Sequence, residues 1–306
     1  MTTPMYKIIL MGLDNAGKTS IILSMAGKYD PSEIKPTKGI ERSDTKILGN
    51  RVFRWDLGGQ EKYRETYLKD RSYVLDQTDL LFYVIDIADK DRFEESLQFY
   101  IDVLNYLKKI ETNPNIILFL HKADPDFLRT PECQANIKHT TDLFTKNSQD
   151  FQTEVFTTTI FDYKTLVEAF TNSLSKIFPK FDAFNTLLKN FIANRELDVV
   201  LLFDENLHLV GRAYADENSK MDRIQEVYNA YYFFEGITRF RRYGYDLNLN
   251  LIRTAGDAPY QIKIQQIHLG NWKPFILLAG KELAEVENLL ADLKRDYEAN
   301  KDKLDL

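Results

Sequence analysis

Met11 to Ser20 reads "MGLDNAGKTS", and the interpretation of this stretch decides what fold the first half of the chain adopts. It satisfies G-x-x-x-x-G-K-[ST], with Gly12, Gly17, Lys18 and Thr19 in the fixed positions. The β-prone run "YKIILM" (Tyr6 to Met11) precedes it. "KTSIILSMAGKY" follows, with Ile21, Ile22 and Met25 sharing a helical face. Strand, glycine loop and helix together favour a phosphate cradle over a glycine turn that merely caps a helix. Glycines let backbone N–H groups curl around phosphate oxygens, and the helix N-terminus adds partial positive charge. Asp14, Asn15, Ala16, Gly17, Lys18, Thr19 and Ser20 are therefore expected at the nucleotide. Lys18 would bridge the outer phosphates, and the Thr19 hydroxyl would ligate Mg2+.

Such a loop does not distinguish ATP from GTP, but the residues that follow bear on the choice. "RVFRWDLGGQEKYRE" places an alternating strand (Val52, Phe53, Trp55) ahead of Asp56, Gly58, Gly59 and Gln60. A carboxylate there can hold Mg2+ through water, the Gly59 backbone can reach a γ-phosphate, and Gln60 can orient the attacking water. Upstream, "KPTKGIE" offers Thr37 as a second hydroxyl for the metal. Arg42, a little further on, reads as a solvent-facing strand arginine, with a cis arginine finger as the alternative.

The apolar run "NIILFLHKADPD" ends in His121, Lys122, Ala123 and Asp124. A carboxylate at Asp124 can accept two hydrogen bonds from guanine, whereas adenine would leave it unpaired. The Lys122 stem can lie over the base. In "VFTTTIFD", Thr158 and Thr159 can present a backbone N–H to the guanine oxygen.

"GLDNAGKTS" and "WDLGGQEKYRE" resemble the Arf branch of small GTPases. That branch carries asparagine where His121 stands; "HKAD", and "TTTIFD" followed by an apolar helix, resemble the Rag/Gtr GTPases instead. The resemblance implies a GTPase using GTP/GDP and Mg2+, with Thr19, Thr37 and Asp56 at the metal and Gln60 as the catalytic residue. It further implies His121, Lys122 and Asp124 at the base.

The first domain, a P-loop small GTPase domain with a mostly parallel sheet, is expected over residues 1–180. It closes with the helix "YKTLVEAFTNSLSKIFPKF", whose Leu166, Phe170, Leu174 and Ile177 share a face and which Pro179 ends. Residues 181–306 read as helix, two strands joined by a tight Asp-Glu-Asn turn, helix, three strands and helix. That is an α+β layout with a five-stranded antiparallel sheet. The long second helix takes Asn218 or Ser219 as N-cap.

This half resembles the roadblock/longin domains that Rag/Gtr proteins carry here. The resemblance implies pairing with a second GTPase chain, identical or not, and contact with other roadblock-domain proteins. Tyr228, Tyr231, Tyr232, Phe233 and Phe234 are too wide around the helix for one core face, so one side is expected on the sheet and the other at a second subunit, with core packing alone as the alternative. Arg239, Arg241 and Arg242 read as an acidic-partner contact or a solvated strand start. His208 and His268 are placed in strands with a structural role, and Glu282, Glu285 and Glu287 on a solvated helix face.

Composition excludes several function classes. The 306 residues are 44% hydrophobic and 28% charged, as in a globular protein with a buried core. A net charge of −6 without a basic run gives nucleic acid no footprint. One cysteine, Cys133, excludes an intrachain disulfide and suits a reducing compartment. No apolar stretch reaches the roughly 18 residues of a membrane helix, and neither a signal peptide nor a myristoylation glycine is read at the N-terminus. The expectation is a cytoplasmic protein, without direct membrane insertion, recruited to membranes through partners.

The leading functional reading is a GTP-operated switch whose segments around Thr37 and from Gly58 to Arg71 order with the γ-phosphate. It turns over slowly without a GTPase-activating partner and is loaded by an exchange factor. The alternative is a dimerising scaffold that holds nucleotide with little or no turnover. An ATP-dependent phosphotransferase has the glycine loop for it and Asp124 against it.

Overall fold

The computed structural model describes residues 5–25, 30, 32, 34–69, 74–148, 150–193, 195–215, 221–237, 248–253, 260–281, 283 and 285–304. The chain divides into two compact units, Met1–Lys46 with Asn50–Ile177, and Phe178–Leu306 with Ile47–Gly49.

The first unit is built on β1 (Met5–Met11), β2 (Ile40–Ile47), β3 (Asn50–Leu57), β4 (Leu80–Asp86), β5 (Asn115–His121) and β6 (Thr153–Thr158), in sheet order β2-β3-β1-β4-β5-β6. From β3 to β6 every neighbouring pair is parallel. β2 and β3 form a hairpin whose turn, Leu48 and Gly49, takes φ of 49° and 77°. Positive φ at both positions matches the strand twist. β4 and β5 are buried almost throughout, as parallel strands covered on both faces must be.

The helices are α1 (Lys18–Met25), α2 (Glu61–Lys69), α3 (Phe93–Lys109), α4 (Pro125–Leu128), α5 (Pro131–Asn147) and α6 (Tyr163–Ser175). Strand alternation distributes the core between two layers of them. Phe82 points to α6, its ring centroid 4.6 Å from that of Phe170. Its neighbour Tyr83 points the other way, 4.9 Å from Tyr100 of α3 and 6.0 Å from Phe144 of α5. α6 stops at Ser175, four residues before Pro179. That proline is instead the N-cap of the next helix, where its fixed φ suits a helix start.

The second unit contains α7 (Lys180–Ile192), β7 (Val199–Phe203), β8 (Leu209–Tyr214), α8 (Met221–Ile237), β9 (Leu249–Arg253), β10 (Tyr260–Gln266), β11 (Phe275–Gly280), α9 (Val286–Ala299) and α10 (Lys301–Leu304). Its five strands run β8-β7-β11-β10-β9, with the pairs β7–β8, β7–β11, β11–β10 and β10–β9 all antiparallel. α7 covers one face, and Gly211 admits it: a Cβ there would lie 2.9 Å from Phe184 Cβ. α8 covers the other, with Tyr231 stacked on Phe203 at 4.3 Å and Phe234 edge-on to Phe275 at 5.5 Å.

Four local expectations are corrected. The β7–β8 connection is longer than an Asp-Glu-Asn turn, because the Asp204 carboxylate accepts from the N–H groups of both Asn206 and His208 and closes a wider loop. His208 therefore lies in that loop rather than in a strand, with Nδ1 3.0 Å from Asp204 Oδ2. His268 follows the end of β10 instead of lying within a strand. Glu285, at φ 57°, precedes α9 as its N-cap, while Glu287 is exposed on the helix. Asn218, Ser219, Arg239, Arg241, Arg242 and Glu282 lie outside the described residues. No helix among the described residues is long and apolar enough to cross a membrane.

Candidate functional site

The chain leaves β1 toward β3 on one side of the sheet and β4 on the other, so β1 is a topological switch point, the place where open α/β sheets bind ligands. The loop there is the Gly12–Thr19 segment. Gly12 has φ 135°, and a Cβ on it would collide with the Val84 carbonyl of β4. Gly17 has φ 96°, and a Cβ would lie 2.5 Å from Cδ2 of His121. Asn15 also takes a left-handed φ, 59°. The backbone thus approaches its neighbours more closely than side chains allow.

Lys18 is buried, its ammonium donating to the carbonyls of Leu13 (2.7 Å) and Gly12 (3.1 Å). Burial lowers its pKa to about 8, opposed by the carboxylates of Asp56 and Asp14. A cavity of about 320 Å³ opens beside it, lined in part by Asp14, Asn15, Ser20, Thr37, Gly59 and Gln60. Ala16 is buried beneath the loop.

At this cavity three oxygens converge. Thr19 Oγ1 donates to Asp56 Oδ2 (2.7 Å) and sits 2.8 Å from Thr37 Oγ1, which lies 3.2 Å from the same carboxylate oxygen. The other oxygen, Asp56 Oδ1, is buried and makes no hydrogen bond. Two hydroxyls crowding one oxygen while its twin is orphaned fits a hard cation such as Mg2+, which takes few protein oxygens and completes its shell with water and phosphate. No cluster of three His, Cys, Asp or Glu that could hold a metal occurs among the described residues.

The Asp56-x-Gly-Gly-Gln segment closes on this loop. A Cβ on Gly58 would lie 2.5 Å from the Thr37 carbonyl, and one on Gly59 would overlap the backbone of Leu13 and Asp14. The Gly58 N–H donates to the Gly39 carbonyl at 2.8 Å. Tyr67, which the motifs did not single out, donates its hydroxyl hydrogen at the carbonyls of Gly39 (2.8 Å) and Gly58 (3.2 Å). Arg42 stacks on Trp55, its guanidinium 4.1 Å from the ring centroid, and is exposed, as the solvent-facing reading expected.

At the ends of β4, β5 and β6, register puts Asp86, His121 and Thr158 in one row. His121 Nδ1 is 3.0 Å from Thr158 Oγ1, and its ring lies against Gly17. Histidine here spans from β6 to the phosphate loop by one hydrogen bond and one packing contact. Burial pushes its pKa down to about 3, the Lys122 charge adds to this, and the Thr158 hydrogen bond opposes it. Lys122, at φ 64°, pairs its ammonium with Asp86 at 2.6 Å.

Asp124 is the N-cap residue of α4, and its Oδ1 accepts from the Thr159 hydroxyl at 2.6 Å. The Thr159 N–H donates to Thr165 Oγ1 at 3.2 Å and would have to exchange that partner to meet a base. Beyond the motifs, Arg92 donates to the Asp14 carboxylate at 2.7 Å. Its only trace in the sequence is that an acid in a phosphate cradle calls for a cation, since neighbouring like charges repel.

Residues 7–236 match the family model described as the Gtr1/RagA G protein conserved region, a stretch that runs through the first unit and into α8. The chain is similar to GTP-binding protein gtr1 of Schizosaccharomyces pombe, 27% identical over 218 residues, covering 70% of each chain. It is also similar to a solved structure of the Arl6 (BBS3) small GTPase from Trypanosoma brucei with the nucleotide analogue GppNp bound. That match is 19% identical with a TM-score of 0.45, over 56% of this chain and 96% of the other.

Proposed function

This chain belongs to the Gtr1/RagA family of G proteins, and on that premise we propose a GTP-hydrolysing switch whose two mobile segments meet at Asp56. The observation that carries this reading is the convergence of the Thr19 and Thr37 hydroxyls on Asp56 Oδ2, which leaves Asp56 Oδ1 buried and unpartnered. Thr37 belongs to a different segment from the phosphate loop, so its position reports whether a cation and a γ-phosphate are held. Thr19, Thr37 and Asp56 would hold Mg2+, whose charge offsets that on the phosphate oxygens. Lys18 and the backbone from Asp14 to Ser20 cradle the phosphates.

Asp124 accepts from guanine, with Lys122 over the base and His121, Thr158 and Thr159 completing that end. Gly59 contacts the γ-phosphate, and Gln60, at the mouth of the cavity, orients the attacking water. Turnover is slow until a GTPase-activating partner acts, and an exchange factor reloads GTP.

Residues 1–180 serve as the G domain and 181–306 as a roadblock/longin-like dimerisation domain. The latter presents α8 and the edge strand β9 to a second GTPase chain and to other roadblock-domain proteins. The working location is the cytoplasm, with recruitment to membranes through those partners.

Single-turnover hydrolysis of GTP with Mg2+, beside Gln60→Leu, tests the switch. The variant is expected to be slower by roughly 10²-fold or more. Equal rates would remove Gln60 from catalysis. GTP held tightly and unhydrolysed by both proteins, with an activating partner present, would favour the nucleotide-bound scaffold.

A further inference from the structure

We infer that Glu95 is a positioning residue for hydrolysis, clamping the first turn of α2, and with it Gln60, to the phosphate loop through a chain of four alternating charges. The inference rests on the reading of Gln60 as the water-orienting residue.

Gln60 is the residue from which α2 starts: the N–H groups of Tyr63 (2.9 Å) and Arg64 (3.1 Å) both donate to its carbonyl. The Arg64 side chain leaves this turn for α3, where Nη2 donates to Glu95 Oε1 at 2.6 Å, and its guanidinium lies 5.3 Å from the Phe99 ring centroid. Glu95 also accepts from Arg92, Nε to Oε2 at 2.9 Å and Nη2 to Oε1 at 3.3 Å. Arg92 then reaches the phosphate loop, donating to Asp14 Oδ1 (2.7 Å) and to the Asp14 carbonyl (3.2 Å). Asp14, Arg92, Glu95 and Arg64 thus alternate in sign from the cavity wall to the helix that carries Gln60.

Three physical points favour Glu95 as the keystone. Arg64 is largely buried and its Nε makes no hydrogen bond, so the guanidinium depends on Glu95 for neutralisation. α3 is a rigid post, with Phe93, Leu97, Phe99, Tyr100, Val103 and Leu104 buried, whereas the nine-residue α2 is too short to be stable by propensity alone and relies on Tyr67 at its far end and Arg64 in its first turn. Glu95 occupies both its oxygens with guanidinium groups from two different elements, and the resulting charge-assisted bonds are directional as well as strong. Losing the carboxylate frees the first turn of α2 and leaves the Arg64 guanidinium without its carboxylate, while Arg92 keeps Asp14. It leaves the phosphate-binding residues in place.

The experiment uses the full chain with Mg2+ and compares parent, Glu95→Gln, Gln60→Leu and the double variant. It measures single-turnover hydrolysis, GDP release, thermal midpoint and hydrogen exchange of Glu61–Lys69. Glu95→Gln is expected to slow hydrolysis roughly 10- to 100-fold through misplacement, with GDP release within about twofold of the parent and faster exchange in α2 but not in α3. Glu95→Asp should restore part of the rate. In the Gln60→Leu background the second substitution should cost nothing further, because Glu95 acts through Gln60.

Parental hydrolysis and α2 exchange in Glu95→Gln, beside a slow Gln60→Leu, overturn this inference alone. Multiplying effects in the double variant do the same, as does a fall in midpoint and nucleotide retention that parallels the rate. A Gln60→Leu variant as fast as the parent overturns the Gln60 reading and, with it, this one. If intrinsic turnover is too slow to follow, unchanged α2 exchange in Glu95→Gln overturns the clamp.

Discussion

His121 ties two elements together at a junction while its ring stays uncharged. It is 2% exposed, bonded to Thr158 and packed on Gly17. The folded protein holds its pKa near 3, well below the ordinary 6.5. The unfolded chain therefore takes up a proton below pH 6.5 that the folded one refuses. Stability from this group is complete above pH 6.5 and is lost as pH falls toward 3. Between pH 7 and pH 5 this should remove on the order of 2 kcal/mol of unfolding free energy. Denaturant titrations at a series of pH values should show His121→Asn with a flatter dependence over that range. An identical slope in both proteins would mean that the ring does not stay neutral when folded.

At the level of elements, the glycine pair after β3 is the part where spacing decides everything. Gly58 fits under the Thr37 carbonyl and Gly59 against the Leu13–Asp14 backbone, so two segments and the phosphate loop meet without an intervening side chain. Gly59→Ala should push α2 off the loop and lower single-turnover hydrolysis by about 10²-fold. GDP binding should change less than the rate, if the closing segment yields to the clash with the Leu13–Asp14 backbone rather than the loop. Equal losses in GDP affinity and rate would show that the whole loop, rather than the closing segment, had been displaced. The same argument explains Tyr67: its hydroxyl addresses both Gly39 and Gly58, a contact that no motif signals because the three residues come from different elements.

For the molecule as a whole, the second unit divides its helix-face aromatics as the sequence pattern anticipated. Tyr228, Tyr231 and Phe234 are buried, while Tyr232 and Phe233 are 43% and 56% exposed. Phe233 borders a groove of about 560 Å³ together with Leu251 and Ile252 of β9, an edge strand of its sheet. Among the described residues no strand pairs with the outer side of β9, and such edges next to apolar side chains are templates for pairing. Phe233→Glu combined with Ile252→Glu should weaken the proposed dimer, with an identical or a second family chain, by about 30-fold or more. The thermal midpoint should stay near that of the parent. Sedimentation of the chain alone and with a partner measures this, and an unchanged mass distribution in both would move the interface elsewhere.

Much of this was legible along the chain, because it depends on neighbours. Alternation marked β3, β9 and β10, and apolar runs marked β1 and β5, although β2 and β4 were not read from the sequence. The glycine and lysine spacing marked the phosphate cradle, and the order of Thr37, Asp56, Gln60 and Asp124 pointed to guanine. Helix ends were less legible. α6 stops before Pro179, and Glu285 precedes α9, since caps are settled by backbone bonds worth little each.

What only the tertiary structure decided are relations between residues far apart in sequence. Asp56 shares one oxygen with two hydroxyls and orphans the other. His121 is held neutral between β6 and the loop. Arg92 reaches back 78 residues to Asp14. Local pattern reflects the repeat geometry of one element, whereas burial, pKa and charge pairing arise from the sum of several elements packed around a point. The amino-acid order supplies that sum only after the chain has folded.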